Sequence, residues 1–251
     1  MPMRLAVEAD SYWKMPFDYG LRPLLREEVS LIIVSVKKSS MRSSLLRNTL
    51  VHVIASLPLL LTAYEYLTGT LPVVLDRHLV IRFGAAGLAF LVASFTITPI
   101  SILTGSPTLK PIRRPLGVYG FCYIALHLLA YAWLSNYFEW DLILRDIGER
   151  RAMSAGLLAF ALLIPLALTS TNGWQKRLGR RWKALHRLVY FAVPLSILHY
   201  FWLERDIRDW VLVYLAVVVL LFIIRVPAIR HAIAHRRQHS QMTVGGNKDA
   251  G

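Results

Sequence analysis

Among 251 residues there is one cysteine, Cys122, so disulfide scaffolds, CxxC redox pairs, cysteine-ligated iron–sulfur clusters and covalent c-type haem attachment are all excluded. Acidic residues are scarce too. Asp and Glu number 15 against 29 Lys and Arg, a formal charge of +14, and charged residues make up only 18% of the chain. No GxGxxG fingerprint occurs, and too few polar residues remain to build separate nicotinamide and flavin domains. Internal repetition is not visible either. What the chain has instead is apolar mass: 55% of residues are hydrophobic, above the roughly 45 to 50% of a typical soluble domain. The basic residues fall between apolar runs rather than along one face, which suggests membrane topology more than nucleic-acid binding.

A bilayer core of about 30 Å requires about 20 mostly apolar helical residues. Six stretches meet or approach that length, at residues 48–67, 79–100, 115–137, 153–171, 184–203 and 210–226. Of the Lys and Arg residues, 21 flank one side of these spans and 7 the other, which directs both termini to the cytoplasm of a bacterial inner membrane. The fold expected is therefore all-α and integral to the membrane, with six transmembrane helices. Residues 1–44 read as an N-terminal cytoplasmic extension, 45–226 as the membrane domain and 227–251 as a basic cytoplasmic tail attracted to anionic headgroups. The basic stretch with Arg42 and Arg47 before the first apolar run mimics a signal peptide but lacks a small-residue cleavage site, so it reads as the start of helix one.

Ionisable side chains at membrane depth are costly and face a cavity, a partner or a cofactor. His127 lies 13 residues past Arg114, about 20 Å along its helix, and His199 lies 16 residues past Lys183, about 24 Å along another. Both helices run outward, so the two imidazoles reach matched depth and suit the two faces of a haem iron. The alternative, that each merely hydrogen-bonds a neighbouring helix, stays open at this point. Tyr123, Tyr131, Tyr200 and Trp202 would suit the walls of a flat cofactor, though lipid-facing rings look the same. His186 lies only three residues past Lys183, near the inner face, where Arg113 and Arg114 offer cations for haem propionates, a flavin phosphate or lipid phosphates. His52 reads as structural, His78 as solvated, and His231, His235 and His239 as part of the tail.

The ordered motifs carry a resemblance. Thr96-Ile97-Thr98-Pro99 closes helix two, Arg113-Arg114-Pro115-Leu116-Gly117 opens helix three, and Leu126-His127-Leu128 with Tyr131 comes next. Thr169-Ser170-Thr171 ends helix four, and Leu178-Gly179-Arg180-Arg181-Trp182 leads through Leu185-His186-Arg187-Leu188-Val189-Tyr190 to His199-Tyr200-Phe201-Trp202. Over residues 45–226 this order resembles the ferric-reductase-like transmembrane family, and within it the MsrQ family of haem-binding membrane subunits. The resemblance implies a six-helix haem bundle taking electrons from the quinol pool or a reduced flavin. It implies delivery to a periplasmic molybdopterin-containing methionine sulfoxide reductase that repairs oxidised proteins. His127 and His199 match the histidines holding the outer b haem, and His186 the family's inner histidine. Larger relatives carry a second helix-three histidine where this chain has Arg113 and Arg114, so one haem is expected, with FMN or a quinol at the inner end. The other functions weighed are a stand-alone ferric or metal reductase and a cofactor-free scaffold or transporter. No catalytic nucleophile or acid–base pair is required for electron transfer.

Overall fold

The computed structural model describes residues 45–203 and 208–226, and every described regular element is helical. The chain divides into two compact units, 1–50 and 51–251. The helical bundle belongs to the second unit, and the helix that begins at Leu45 continues into it. The expected extension 1–44 and the expected tail 227–251 with its three histidines lie outside the described residues.

The described residues form nine α-helices. They are α1 (Leu45–Leu67), α2 (Leu75–Thr104), α3 (Arg113–Ala130), α4 (Trp140–Glu149), α5 (Arg151–Leu168), α6 (Asn172–Leu178), α7 (Arg180–Leu185), α8 (Val189–Leu203) and α9 (Arg208–Arg225). A 3-10 turn, Lys110–Ile112, leads into α3, and a π turn, Tyr131–Ser135, extends it. By length and composition, four helices are able to cross a membrane: α1, α2, the run Lys110–Ser135 around α3, and α5. Of the remaining two expected spans, α8 has 15 residues and the apolar part of α9 is Val211–Arg225, both shorter than those four. The stretch expected as one helix over 184–203 is instead α7, a 3-10 turn at His186–Leu188 and α8 of 15 residues. At this turn the Trp182 carbonyl meets both the backbone N–H of His186 and its imidazole Nδ1, the latter at 3.1 Å.

Large apolar side chains face outward on α1, α5 and α9, among them Leu60, Leu61, Leu158, Leu215 and Leu220. In water such a surface would be an aggregation hazard; against lipid it is the natural exterior. Inside, α2 is the central post. Phe83, Phe90 and Ile97 pack with Val51 and Ala55 of α1 and Leu116 and Tyr123 of α3. On its other faces Leu88 and Phe95 meet Val193 of α8 and Val218 of α9, while Leu91 meets Leu163 of α5 and Ala192 of α8. Glycines allow the closest approach: a Cβ at Gly87 would lie 2.6 Å from Ile124, and one at Gly120 2.9 Å from Leu91. Gly105, with φ of 65°, ends α2 in the left-handed conformation that glycine adopts without a Cβ penalty.

The two most extensive pairings are α2 with α3 and α5 with α8, and they repeat one another. In each, the first helix offers a backbone carbonyl and a glycine near its N-terminus, and the second brings a histidine from near its C-terminus. Val80, Gly84 and His127 form the first set; Ala152, Gly156 and His199 form the second, each 72 residues after its counterpart. The absence of repetition read from the sequence is thus corrected: the repeat lies in the spacing of three positions per half, not in residue similarity.

Candidate functional site

His127 approaches α2 at the turn opened by Gly84, and its Nδ1 lies 2.8 Å from the Val80 carbonyl oxygen. His199 does the same against α5, with Nδ1 2.6 Å from the Ala152 oxygen. A carbonyl only accepts, so in each ring Nδ1 carries the proton and donates. In the neutral imidazole this leaves the Nε2 lone pair free for a metal. The two ring centres lie 6.1 Å apart with their planes at 80°. Two metal–nitrogen bonds of about 2 Å, each with about 1 Å more to the ring centre, span about 6 Å, so one metal ion fits between the imidazoles.

The donor set limits the kind of metal group it suits. Among the described residues no cluster of three or more His, Cys, Asp or Glu suits a bare ion. His127 and His199 would hold the iron of a haem, which brings its remaining ligands with it, and the Nδ1 hydrogen bonds set the tautomer and orientation of each ring. The glycines complete the fit. A Cβ at Gly84 would sit 2.8 Å from the His127 Nδ1, and one at Gly156 would sit 2.6 Å from the His199 Nδ1.

Two of the aromatic residues expected as cofactor walls, Tyr123 and Tyr131, have their hydroxyls engaged by protein acceptors. Tyr123 is buried in the core, stacked on Phe90 at 5.6 Å, with its hydroxyl on the Ala55 carbonyl. The Tyr131 hydroxyl donates to Asp146 at 2.7 Å, tying the π turn to α4. Trp202 is exposed, and Tyr200 packs against the cluster around Phe95. His78 is paired rather than solvated, 3.3 Å from a Glu65 carboxylate that also receives two 2.7 Å bonds from Arg82. His52 bonds the Tyr119 hydroxyl at 2.7 Å, as a structural histidine does.

His186, Arg113 and Arg114 gather at the opposite end, about 20 Å from His199 by helical rise. Trp182 is their hub. Its indole donates to the Thr169 carbonyl at 3.0 Å, its face stacks on the His186 ring at 3.9 Å, and the Arg114 guanidinium lies over it at 5.9 Å. Arg114 also donates to the side-chain oxygens of Asn172 and Gln175, while Arg113 donates to Thr98 at 3.1 Å. The His186 Nε2 is buried with no hydrogen-bond partner among the described residues.

Arg225 belongs to this end too; the sequence places it at the close of the sixth span, among the basic residues of that side, and gives it no role in a site. Its guanidinium lies 3.7 Å from the Phe95 ring centre and donates to the Phe95 carbonyl; Nε and Nη1 are buried and unpartnered among the described residues. That carbonyl is free because Pro99, four residues on, has no N–H to offer it. The Thr-Ile-Thr-Pro motif thereby anchors two arginines, Arg113 through Thr98 and Arg225 through the acceptor that Pro99 releases. The available signal was an arginine closing an apolar helix at the end where Arg113 begins another.

Paired histidines presented between membrane helices define an all-helical membrane protein of the ferric-reductase-like class. The family described as ferric reductase like transmembrane component matches residues 83–197, which include His127 and His186 and stop two residues short of His199. Three similar proteins bear the description protein-methionine-sulfoxide reductase heme-binding subunit MsrQ. One, from Caulobacter vibrioides, is 40% identical over 190 residues, 74% of this chain and 90% of its own. One from Rhodospirillum rubrum is 42% identical over 151 residues, 59% of this chain and 73% of its own. One from Xanthomonas campestris pv. campestris is 38% identical over 171 residues, 64% and 77% respectively. The chain belongs to the MsrQ family. No solved structure matches it.

Proposed function

We propose that this chain is the membrane electron-transfer subunit of a methionine sulfoxide reductase system and holds one b haem between His127 and His199. The observation that carries the reading is the pair of imidazoles 6.1 Å apart, each with Nδ1 tied to a backbone carbonyl and Nε2 left for iron. A haem bound there supplies reversible one-electron chemistry. The chain's own work is to hold two neutral imidazoles in one tautomer, keep them in an apolar setting and connect the site to both membrane faces.

Electrons are taken up at the end bearing Arg113, Arg114 and His186. Their guanidinium and imidazole groups suit the phosphate of FMN or the oxygens of a quinol. They leave at the His127 end, toward a periplasmic molybdopterin-containing methionine sulfoxide reductase, for the repair of oxidised proteins. The 21-to-7 distribution of basic residues supports this direction in a bacterial inner membrane, with 1–44 and 227–251 on the cytoplasmic side of the 45–226 bundle.

Purified wild-type protein is expected to show the sharp reduced alpha band of a six-coordinate cytochrome b. His127→Ala and His199→Ala proteins, verified as folded and membrane-inserted, should lose the haem or turn high-spin. Full low-spin haem in either variant would show that its ligand has been misassigned.

A further inference from the structure

In an α-helix the carbonyl of residue i accepts from the N–H of residue i+4, so a second donor reaching that carbonyl passes beside the i+4 side chain. The acceptors of His127 and His199 are Val80 and Ala152, and the residues four further on are Gly84 and Gly156. The absent Cβ lies where the imidazole edge passes. At Gly84 it would meet Nδ1 at 2.8 Å and Cε1 at 3.1 Å; at Gly156 the same atoms at 2.6 and 2.9 Å. Real Cβ atoms do not come that close, so alanine at either position forces the ring to turn or the helices to part. The same device occurs in both halves of the molecule, around two rings whose planes stand 80° apart.

We infer that Gly84 and Gly156 are positioning residues that fix the rotation of the two axial imidazoles and hold their planes near perpendicular. The inference rests on the haem reading above. Each ring is held by a carbonyl at Nδ1 and by bare glycine backbone against the Nδ1–Cε1 side, and these two contacts restrict its rotation. Perpendicular imidazoles act on two different iron d orbitals and leave them close in energy. Parallel imidazoles act on the same one and split them. The unpaired electron of low-spin ferric iron therefore gives a strongly anisotropic paramagnetic resonance signal in the first case and a rhombic one in the second.

The test is paramagnetic resonance and haem quantitation on the full ferric protein, with Gly84→Ala, Gly156→Ala and, as a control, Gly117→Ala. The control crowds the same α2–α3 seam, its Cβ falling 3.3 Å from Ser94 and away from His127. Wild type should give one strongly anisotropic low-spin signal. Both alanine variants at the paired glycines should show a smaller largest g value or a high-spin signal, and Gly117→Ala should keep the wild-type spectrum. Unchanged spectra at full haem content in both variants overturn the inference, as does an equal shift in the control. Should neither variant fold, wild type decides: a rhombic signal overturns the inference while leaving the haem reading intact. Wild type without haem removes both.

Discussion

Burying a guanidinium is costly unless its donors find acceptors, and Arg225 meets that requirement only in part. It gains a charge-assisted bond to the Phe95 carbonyl and two aromatic faces, Phe95 at 3.7 Å and Tyr190 at 5.5 Å, against the cost of two unpartnered N–H groups. Its value depends on Pro99. With Pro99→Ala the helix supplies an N–H to the Phe95 carbonyl, and that acceptor no longer depends on Arg225. In a double-mutant cycle, Arg225→Met should cost about 1 to 2 kcal/mol less in the Pro99→Ala background than in wild type. Thermal unfolding of the four proteins in detergent measures this; additivity within error would separate the two residues. A position count along the helices was enough to match His127 with His199, since rise per residue does not depend on packing. Gly84, Gly156 and Arg225 were illegible because their roles exist only across helices. No one-dimensional pattern says which carbonyl a glycine uncovers or which helix a proline leaves short of a donor.

Between residues 137 and 153 the sequence reads as a loop, because alternating charge hides an amphipathic helix too short to cross a membrane. The structure places α4 there, with Trp140, Leu142 and Leu144 exposed and Ile143 buried. Two bonds hold it at the His127 end: Tyr131 to Asp146 at 2.7 Å, and Arg150 to the other Asp146 oxygen at 3.2 Å. Asp146 thus joins the π turn after α3 to the start of α5, whose Ala152 carbonyl anchors His199. Asp146→Ala should lower stability by about 2 kcal/mol, the value of hydrogen bonds to a charged group discounted for the exposed Arg150, and leave the reduced haem spectrum unchanged. Calorimetric melting paired with visible spectroscopy checks both parts, and a wild-type melting temperature would remove α4 from the structural account. The 3-10 turn at His186–Leu188 was equally hidden, since apolar continuity from 184 to 203 gives no sign of a break in the helix.

Viewed whole, the bundle presents two chemically different ends: an imidazole pair at one, and at the other a cationic and aromatic group around Trp182. The apolar runs and the distribution of basic residues made this polarity legible early, because lipid and surface potential act on composition rather than on particular contacts. Reporter fusions after residue 240 should behave as cytoplasmic; periplasmic activity there would overturn the proposed orientation. The repeated halves bear also on how the protein is made. Each contributes one imidazole, and the second leaves the ribosome 72 residues after the first. At translation rates of about 5 to 20 residues per second, roughly 4 to 14 seconds separate them. During that interval the first hairpin holds only one of the two imidazoles, so on the haem reading proposed above stable cofactor capture waits for the fifth apolar segment to insert. Haem bound in the proposed site would then report that both halves of the chain are in place.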